Sequence, residues 1–331
     1  MEIEKIKNAI SENYFIEITE LKKVKNTYKI NSTKGDYCIK IIKYEFAHFN
    51  FILSAIKHLQ SRGFETIPKI LKTRDGEDYI KLGSKFAYLT EWIPSRVSNY
   101  DDLSELALIS QKLGELHKCS GGFIINSSMK PRIAWYSWVE VFNTRCDEIL
   151  DFRKRIYQKA NRSQFDRIYL ENIDKEIERG KKAIQGIIEA GYYKLMDKEV
   201  LKCGFCHHDF AHHNILIDSK GAINIIDFDY CILDTHIHDL ASLLIRTMKG
   251  GNWSKDIADI VITNYCKTNQ VTKEELKLMK SFIKFPQTFW QIGLQYYWEQ
   301  QSWSEEVFIN KINKYIHDTE ARDKFLEEYF I

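Results

Sequence analysis

Apolar positions in the first ninety residues fall into short runs separated by turn residues, with one interruption at helical spacing. Thr27–Ile30 and Tyr37–Ile42 read as strands, and Asn31-Ser-Thr-Lys-Gly35-Asp36 between them has hairpin chemistry. Phe46, Phe49, Ile52, Leu53, Ile56 and Leu59 then recur at three and four, which predicts a helix that stops at Gly63. Tyr79–Leu82 and Phe86–Thr90 form another strand-like pair around Gly83-Ser84. Pro94 punctuates the chain after Glu91-Trp92-Ile93, and the boundary between two lobes, 1–93 and 94–331, is expected there. Beyond it the spacing turns helical. Ser98 to Asp101 fits a capping box ahead of the stripe Leu103, Leu106, Ile109, Leu113 and Leu116. Pro131 opens a long helical stretch reaching Ala190, and the chain is helical again from Lys255. The predicted class is α+β, with a small β-rich lobe carrying one helix followed by a larger α-rich lobe.

Composition narrows the function. The 331 residues are 44% hydrophobic and 28% charged, with only 15 Gly and 4 Pro, so a large core is expected and low-complexity structure is not. Lysine and arginine (48) nearly balance aspartate and glutamate (46), which argues against a nucleic-acid-binding surface. No run of about 18 apolar residues predicts a membrane helix. The charged start Met-Glu-Ile-Glu-Lys-Ile-Lys predicts no signal peptide and hence a cytoplasmic protein. Seven scattered cysteines read as reduced thiols. Cys203-Gly-Phe-Cys206, running into His207-His208, admits a haem or half-zinc reading. With no second CxxC and an apolar setting, a metal-free strand is the better one.

The chemistry concentrates between His207 and Asp229. Ile215–Ile217 and Ile223–Ile226 flank Asp218-Ser-Lys-Gly221, a hairpin pattern. Closing it with Ile217 opposite Ala222 places Asn214 across from Ile225 and diagonal to Asp227. A carboxamide and a carboxylate meeting at one hairpin end suit Mg²⁺, which takes few protein oxygens and completes its octahedron with phosphate and water. Asp209, in the loop feeding the first strand, is placed to orient or deprotonate a hydroxyl nucleophile. His207, Asp209, Asn214 and Asp227 thus occupy an H-x-D-x-x-x-x-N…D arrangement, the spacing used by kinases.

His-His-Asp-Phe-Ala-His-His-Asn followed by Ile-Asp-Phe-Asp resembles the catalytic motif of aminoglycoside and choline phosphotransferases. Phe205–Asp209, Ile226–Cys231 with His238-Asp239-Leu240, and Phe285–Trp290 with Gln295-Tyr-Tyr297 are similar to the CotS family of spore coat proteins. The likeness runs from about Ile18 to Trp303. It implies a protein-kinase-like two-lobe fold, ATP and Mg²⁺ as cofactors, and transfer of phosphate to a hydroxyl of an unidentified small acceptor. It also implies incorporation into the spore coat among other coat proteins. Lys40 matches the strand lysine that pairs with ATP phosphates, and Glu91, Trp92 and Ile93 match the hinge that meets adenine. Asp239 matches the downstream aspartate that braces the catalytic loop, although it also fits a helix cap.

Two departures bear on activity. Residues 46–64, spanning the predicted first helix, contain no Asp or Glu, so the usual lysine partner is missing; Glu45 and Asn50 are the nearest substitutes. Lys22–Tyr28 has no glycine to cover phosphates, and Lys22, Lys23 and Lys25 are either phosphate contacts or a solvated turn. The competing function is therefore a structural coat protein that keeps the kinase fold with weak or no catalysis. The His207, His208, His212 and His213 cluster admits a zinc reading that the motif role of His207 disfavours. Phe289, Gly293 and Tyr297 read as a packed aromatic face.

Overall fold

Antiparallel pairing dominates the N-terminal region of the computed structural model, which describes residues 2–330. Strands β1 (Ile18–Val24), β2 (Thr27–Ser32), β3 (Gly35–Ile42), β4 (Ile80–Leu82) and β5 (Lys85–Glu91) form one sheet in the order β1-β2-β3-β5-β4. Gly83 takes φ +64° in the tight turn joining β4 to β5, a conformation open to glycine without strain. Helix α2 (Phe46–Ser61) buries Phe49, Ile52, Leu53, Ile56 and Leu59 of the predicted face and leaves its first member, Phe46, exposed; the Phe49 and Phe86 rings stack at 5.5 Å. Helix α1 (Glu2–Asn13) and strand β1 are additions to the sequence reading. In α1 the i, i+4 pair Ile6 and Ile10 is buried and in β1 Leu21 is, with Ala9 and Ile18 partly buried against them, so neither pattern stands out from its charged neighbours. The lysines of β1 suit a sheet edge, where charge discourages pairing with other chains.

Past Pro94, β6 (Ser95–Val97) pairs with β7 (Ile215–Asp218), which pairs with β8 (Ile223–Ile225). The Ile225 amide also donates to the Thr66 carbonyl at 2.7 Å. These ties draw the hairpin to the N-terminal sheet, so the chain groups into one compact unit of 1–133 with 203–233 and another of 134–202 with 234–331. Compactness therefore does not follow a single cut at 93/94. Helix α3 (Leu103–Ser120) completes the first unit. Its cap is Asp102, whose side chain accepts the amides of Ser104 and Glu105, in place of the expected Ser98 box. Ser98, just past β6, still bonds β7 through its amide to the Ile215 carbonyl, and this leaves Ser98 too early to cap the helix.

The second unit is helical: α4 (Trp138–Gln158), α5 (Gln164–Glu189), α6 (Tyr192–Lys202), α7 (Ile237–Met248), α8 (Lys255–Cys266), α9 (Lys273–Lys284), α10 (Gln287–Gly293) and α11 (Glu305–Tyr329). Phe152, Phe165, Tyr169, Phe289 and Tyr297 form its aromatic core, with Tyr169 and Phe289 stacked at 4.2 Å. Among the described residues no helix is long and apolar enough to cross a membrane.

Three helices of this unit meet at a buried charge cluster. His236, just before α7, has Nδ1 3.3 Å from Glu199 of α6 and Nε2 3.6 Å from Glu275 of α9, and Lys202 bonds Glu199 at 2.6 Å. Burial alone would raise the Glu199 carboxyl, but His236 and Lys202 outweigh it and hold the group down at about 2. A carboxyl depressed on folding stabilises above its unfolded value, near 4.3, and that stability is lost as pH falls through the folded value. Glu199→Gln should therefore destabilise by roughly 1–3 kcal/mol near neutrality, with the gap closing from about pH 5 toward pH 2. Denaturant unfolding at several pH values reads this directly; a gap that stays constant with pH would remove Glu199 from the ionic cluster.

Candidate active site

The hairpin closes one residue tighter than its sequence suggests. Ile217 pairs with Ile223 and Ile215 with Ile225. The Asp218 carboxylate accepts the amides of Lys220 and Ala222, both at 2.8 Å, and Gly221 at φ +79° completes the turn. Asp218 and Ala222 thereby become the closing pair, with the Asp218 amide donating to the Ala222 carbonyl at 3.0 Å. Asn214 consequently lies opposite Ile226, whose amide donates to its carbonyl at 2.9 Å. The slip brings Asn214 one position nearer Asp227 along the facing strand.

Each motif residue is held by its neighbours. The buried Asn214 ends a short 3₁₀ turn, His212–Asn214, and its amide nitrogen donates to the Asp209 carbonyl at 2.9 Å and to the Asp209 carboxylate at 3.0 Å. With the nitrogen committed there, its carboxamide oxygen is the group left to face the cleft. His207 donates from Nε2 to the Ile226 carbonyl at 2.9 Å, and its Nδ1 accepts the Asp209 amide at 3.3 Å. That pairing assigns the neutral Nε2–H tautomer and ties the Asp209 loop to the end of β8. His213 Nε2 stands 4.0 Å from the Asp209 carboxylate. The His207, His208, His212 and His213 imidazoles do not assemble into a ligand set among the described residues.

Asp227 follows β8 in a left-handed conformation, φ 69° and ψ 64°. Such a conformation costs a non-glycine residue about 1 kcal/mol or more and persists only where the surroundings impose it. From this turn Asp227 meets Lys40 on β3, whose ammonium lies 2.7 Å from Asp227 Oδ1 and 2.6 Å from Asp229 Oδ1. Burial would lower the lysine pKa, but Tyr88 and the two carboxylates reverse this and raise it. Burial likewise works to raise the Asp227 carboxyl, and Lys40 outweighs it and holds the group below its usual range. Asp229 goes the other way: burial raises it, Lys40 offsets only part, and Asp227 adds repulsion. Lys40 thus supplies the counter-charge for the partly buried Asp227 carboxylate.

Lys40, Glu91, Trp92, Ile93, Asn214 and Asp227 all line one cavity of about 500 Å³. Its remaining wall is mostly apolar, including Val24, Ile67, Leu216 and Ile225. Of the three turn lysines only Lys25 reaches the lining, from a left-handed φ of 52°. At the hinge, the Trp92 amide donates to the Asp36 carbonyl at 2.9 Å. Asp209 and His207 are outside the lining, and Asp209 meets it through Asn214. Asp239 lies in the second unit, buried in the first turn of α7 with His238 Nδ1 3.5 Å away. Helix α2 supplies no partner for Lys40. Glu45 pairs with Lys130 at 3.3 Å, and Asn50 bonds the Ser128 hydroxyl at 2.8 Å. Asp229 is the residue the motif reading passed over, and the Asp-x-Asp spacing was its only sequence signal.

A carboxylate and a carboxamide oxygen on the wall of a cleft that also holds a buried lysine fit a hard divalent cation with phosphate ligands. The fold has solved counterparts. It is similar to an aminoglycoside phosphotransferase from Alicyclobacillus acidocaldarius, with TM-score 0.84 and 19% identity over 98% of this chain and 94% of that one. A second likeness is to amicoumacin kinase hAmiN, solved with AMP-PNP and Ca²⁺, with TM-score 0.68 and 14% identity over 97% and 93% of the two chains. The choline kinase LicA of Streptococcus pneumoniae shares the fold at TM-score 0.54 and 13% identity over 98% of this chain and all of that one. The chain thus has the fold of the aminoglycoside phosphotransferases and choline kinases, with a sheet-rich N-terminal region and a helical C-terminal region. Residues 7–329 match the family model described as "Spore coat putative kinase YutH", and the chain belongs to that family. Spore coat protein S of Bacillus subtilis is 24% identical over 320 residues, 95% of this chain and 90% of that protein.

Proposed function

We propose that the protein is an ATP- and Mg²⁺-dependent phosphotransferase of the spore coat, acting on a hydroxyl of a small molecule. One observation carries the reading: Asn214 and Asp227 line the same cleft as Lys40 and the Glu91–Ile93 hinge. With the Trp92 amide committed to Asp36, the backbone of Glu91 and Ile93 would read the adenine edge. Lys40 would bind the α- and β-phosphates. Asn214 and Asp227 would hold Mg²⁺, which when bound neutralises phosphate charge. Asp209, oriented by Asn214 and by its own amide on His207, would accept the proton of the acceptor hydroxyl. Asp239 would be a supporting residue and not one that does the chemistry. Spore coat protein S as a relative supports a place in the spore coat. The nucleotide complex of the amicoumacin kinase supports ATP as the donor.

Thermal unfolding with and without ATP·Mg²⁺ tests the site. At 100 times its dissociation constant the nucleotide should add about 2.7 kcal/mol. Asp227→Asn should lose that Mg²⁺-dependent gain and, without ligand, fall by about 1 kcal/mol or less, because Lys40 keeps Asp229. A wild type indifferent to nucleotide, beside an Asp227→Asn variant that melts well below it in every condition, would instead assign Asp227 to holding the hairpin. The structural coat protein would then be the better reading.

A further inference from the structure

We propose that Asp229 is the positioning residue for Lys40, taking the place of the acidic partner that helix α2 lacks. The proposal rests on the phosphotransferase reading and deepens it. Lys40 is almost wholly buried, its side chain 11% exposed, so its ammonium needs a fixed counter-charge wherever it points. Among the described residues it ion-pairs with Asp227 and Asp229. Asp227 is the carboxylate assigned to Mg²⁺, and an oxygen that ligates a cation is a weaker partner for a lysine. With Asp227 holding Mg²⁺, Asp229 would be the carboxylate left to hold Lys40 in the cleft.

The local backbone is built to present both carboxylates together. The left-handed Asp227 turns the chain into a 3₁₀ turn, Phe228–Tyr230, closed by the Cys231 amide on the Phe228 carbonyl at 3.0 Å. Residues two apart then face one ammonium. The turn is pinned from outside by Arg132, whose guanidinium lies over the Tyr230 ring at 5.2 Å and the Tyr44 ring at 5.4 Å. Arg132 is itself fixed by its carbonyl, which accepts the Leu233 amide at 3.0 Å. Glu45 and Asn50, the α2 substitutes, meet Lys130 and Ser128 instead of the lysine.

Calorimetric titration of AMP-PNP·Mg²⁺ and of adenosine into wild type, Asp229→Asn, Lys40→Ala and the double variant tests this. Asp229→Asn should weaken AMP-PNP·Mg²⁺ roughly tenfold, leave adenosine unchanged, and cause no further loss once Lys40 is alanine. Asp229→Glu should recover part of the affinity, which a loss of folding would not. The same four proteins melted without nucleotide should show Lys40 and Asp229 coupled, with the double variant less destabilised than the two single losses together. Asp229→Asn binding like wild type, an extra loss in the Lys40→Ala background, or melting effects that simply add would overturn the proposal. A wild type that binds neither compound would reject the phosphotransferase reading, and the melting cycle alone would then show whether Asp229 holds Lys40.

Discussion

Asp209→Asn should slow phosphoryl transfer by about 10²-fold or more, the loss expected when a positioned base is removed, while nucleotide affinity stays within about threefold of wild type. The asymmetry follows from placement. Asp209 lies outside the lining of the cavity and touches it through Asn214. Asparagine keeps the size of the side chain and an acceptor for the Asn214 amide, so the loop and the placement of Asn214 should survive. What is lost is a carboxylate able to take a proton. Slow transfer to water, followed as phosphate release, gives a rate before the acceptor is known. Parallel titration with AMP-PNP separates binding from turnover. An unchanged rate would take Asp209 out of the chemistry, and a collapse of both rate and affinity would make it a structural residue.

Gly293→Ala should destabilise the protein by roughly 3 kcal/mol, at the upper end of ordinary overpacking. Gly293 ends α10 inside the aromatic core of the second unit. A Cβ there would sit 2.6 and 2.8 Å from two atoms of the Phe152 ring and would collide with the Tyr169 hydroxyl. Both rings are buried, and Tyr169 stacks on Phe289 while its hydroxyl donates to the Phe289 carbonyl at 3.3 Å. No neighbour is the free end of a flexible chain, so relief requires α10 to shift. Denaturant unfolding measures the loss. A change below about 1 kcal/mol would mean that the core can repack around a methyl group. Because this prediction is independent of nucleotide, it probes the fold and not the function.

Local pattern was enough for the elements whose periodicity is strong. Helix α2, the β2–β3 hairpin and the β4–β5 pair are recoverable because burial of one face imposes spacing on the residues themselves. The same held for the motif. His207, Asp209 and Asn214 lie within eight residues, a range over which a loop and a hairpin dictate geometry. Segments with one or two buried residues, α1 and β1, gave too little contrast with their charged neighbours. The hairpin register slipped because the Asp218 side chain, acting as a local acceptor, counts in turn closure and not in apolar alternation.

The sequence by itself determined that Asp209, Asn214 and Asp227 gather around one hairpin, and that the first helix has no acid for the lysine. Only the tertiary structure decided what stands in its place. Lys40 and Asp229 are 189 positions apart, on a strand of one sheet and a turn beyond another hairpin. No spacing rule relates such residues; their meeting depends on β3, β8 and the left-handed turn at Asp227 being packed into one unit. The missing acid on α2 is visible in a list of letters, but its replacement appears only when a buried ammonium must find its counter-charge in three dimensions.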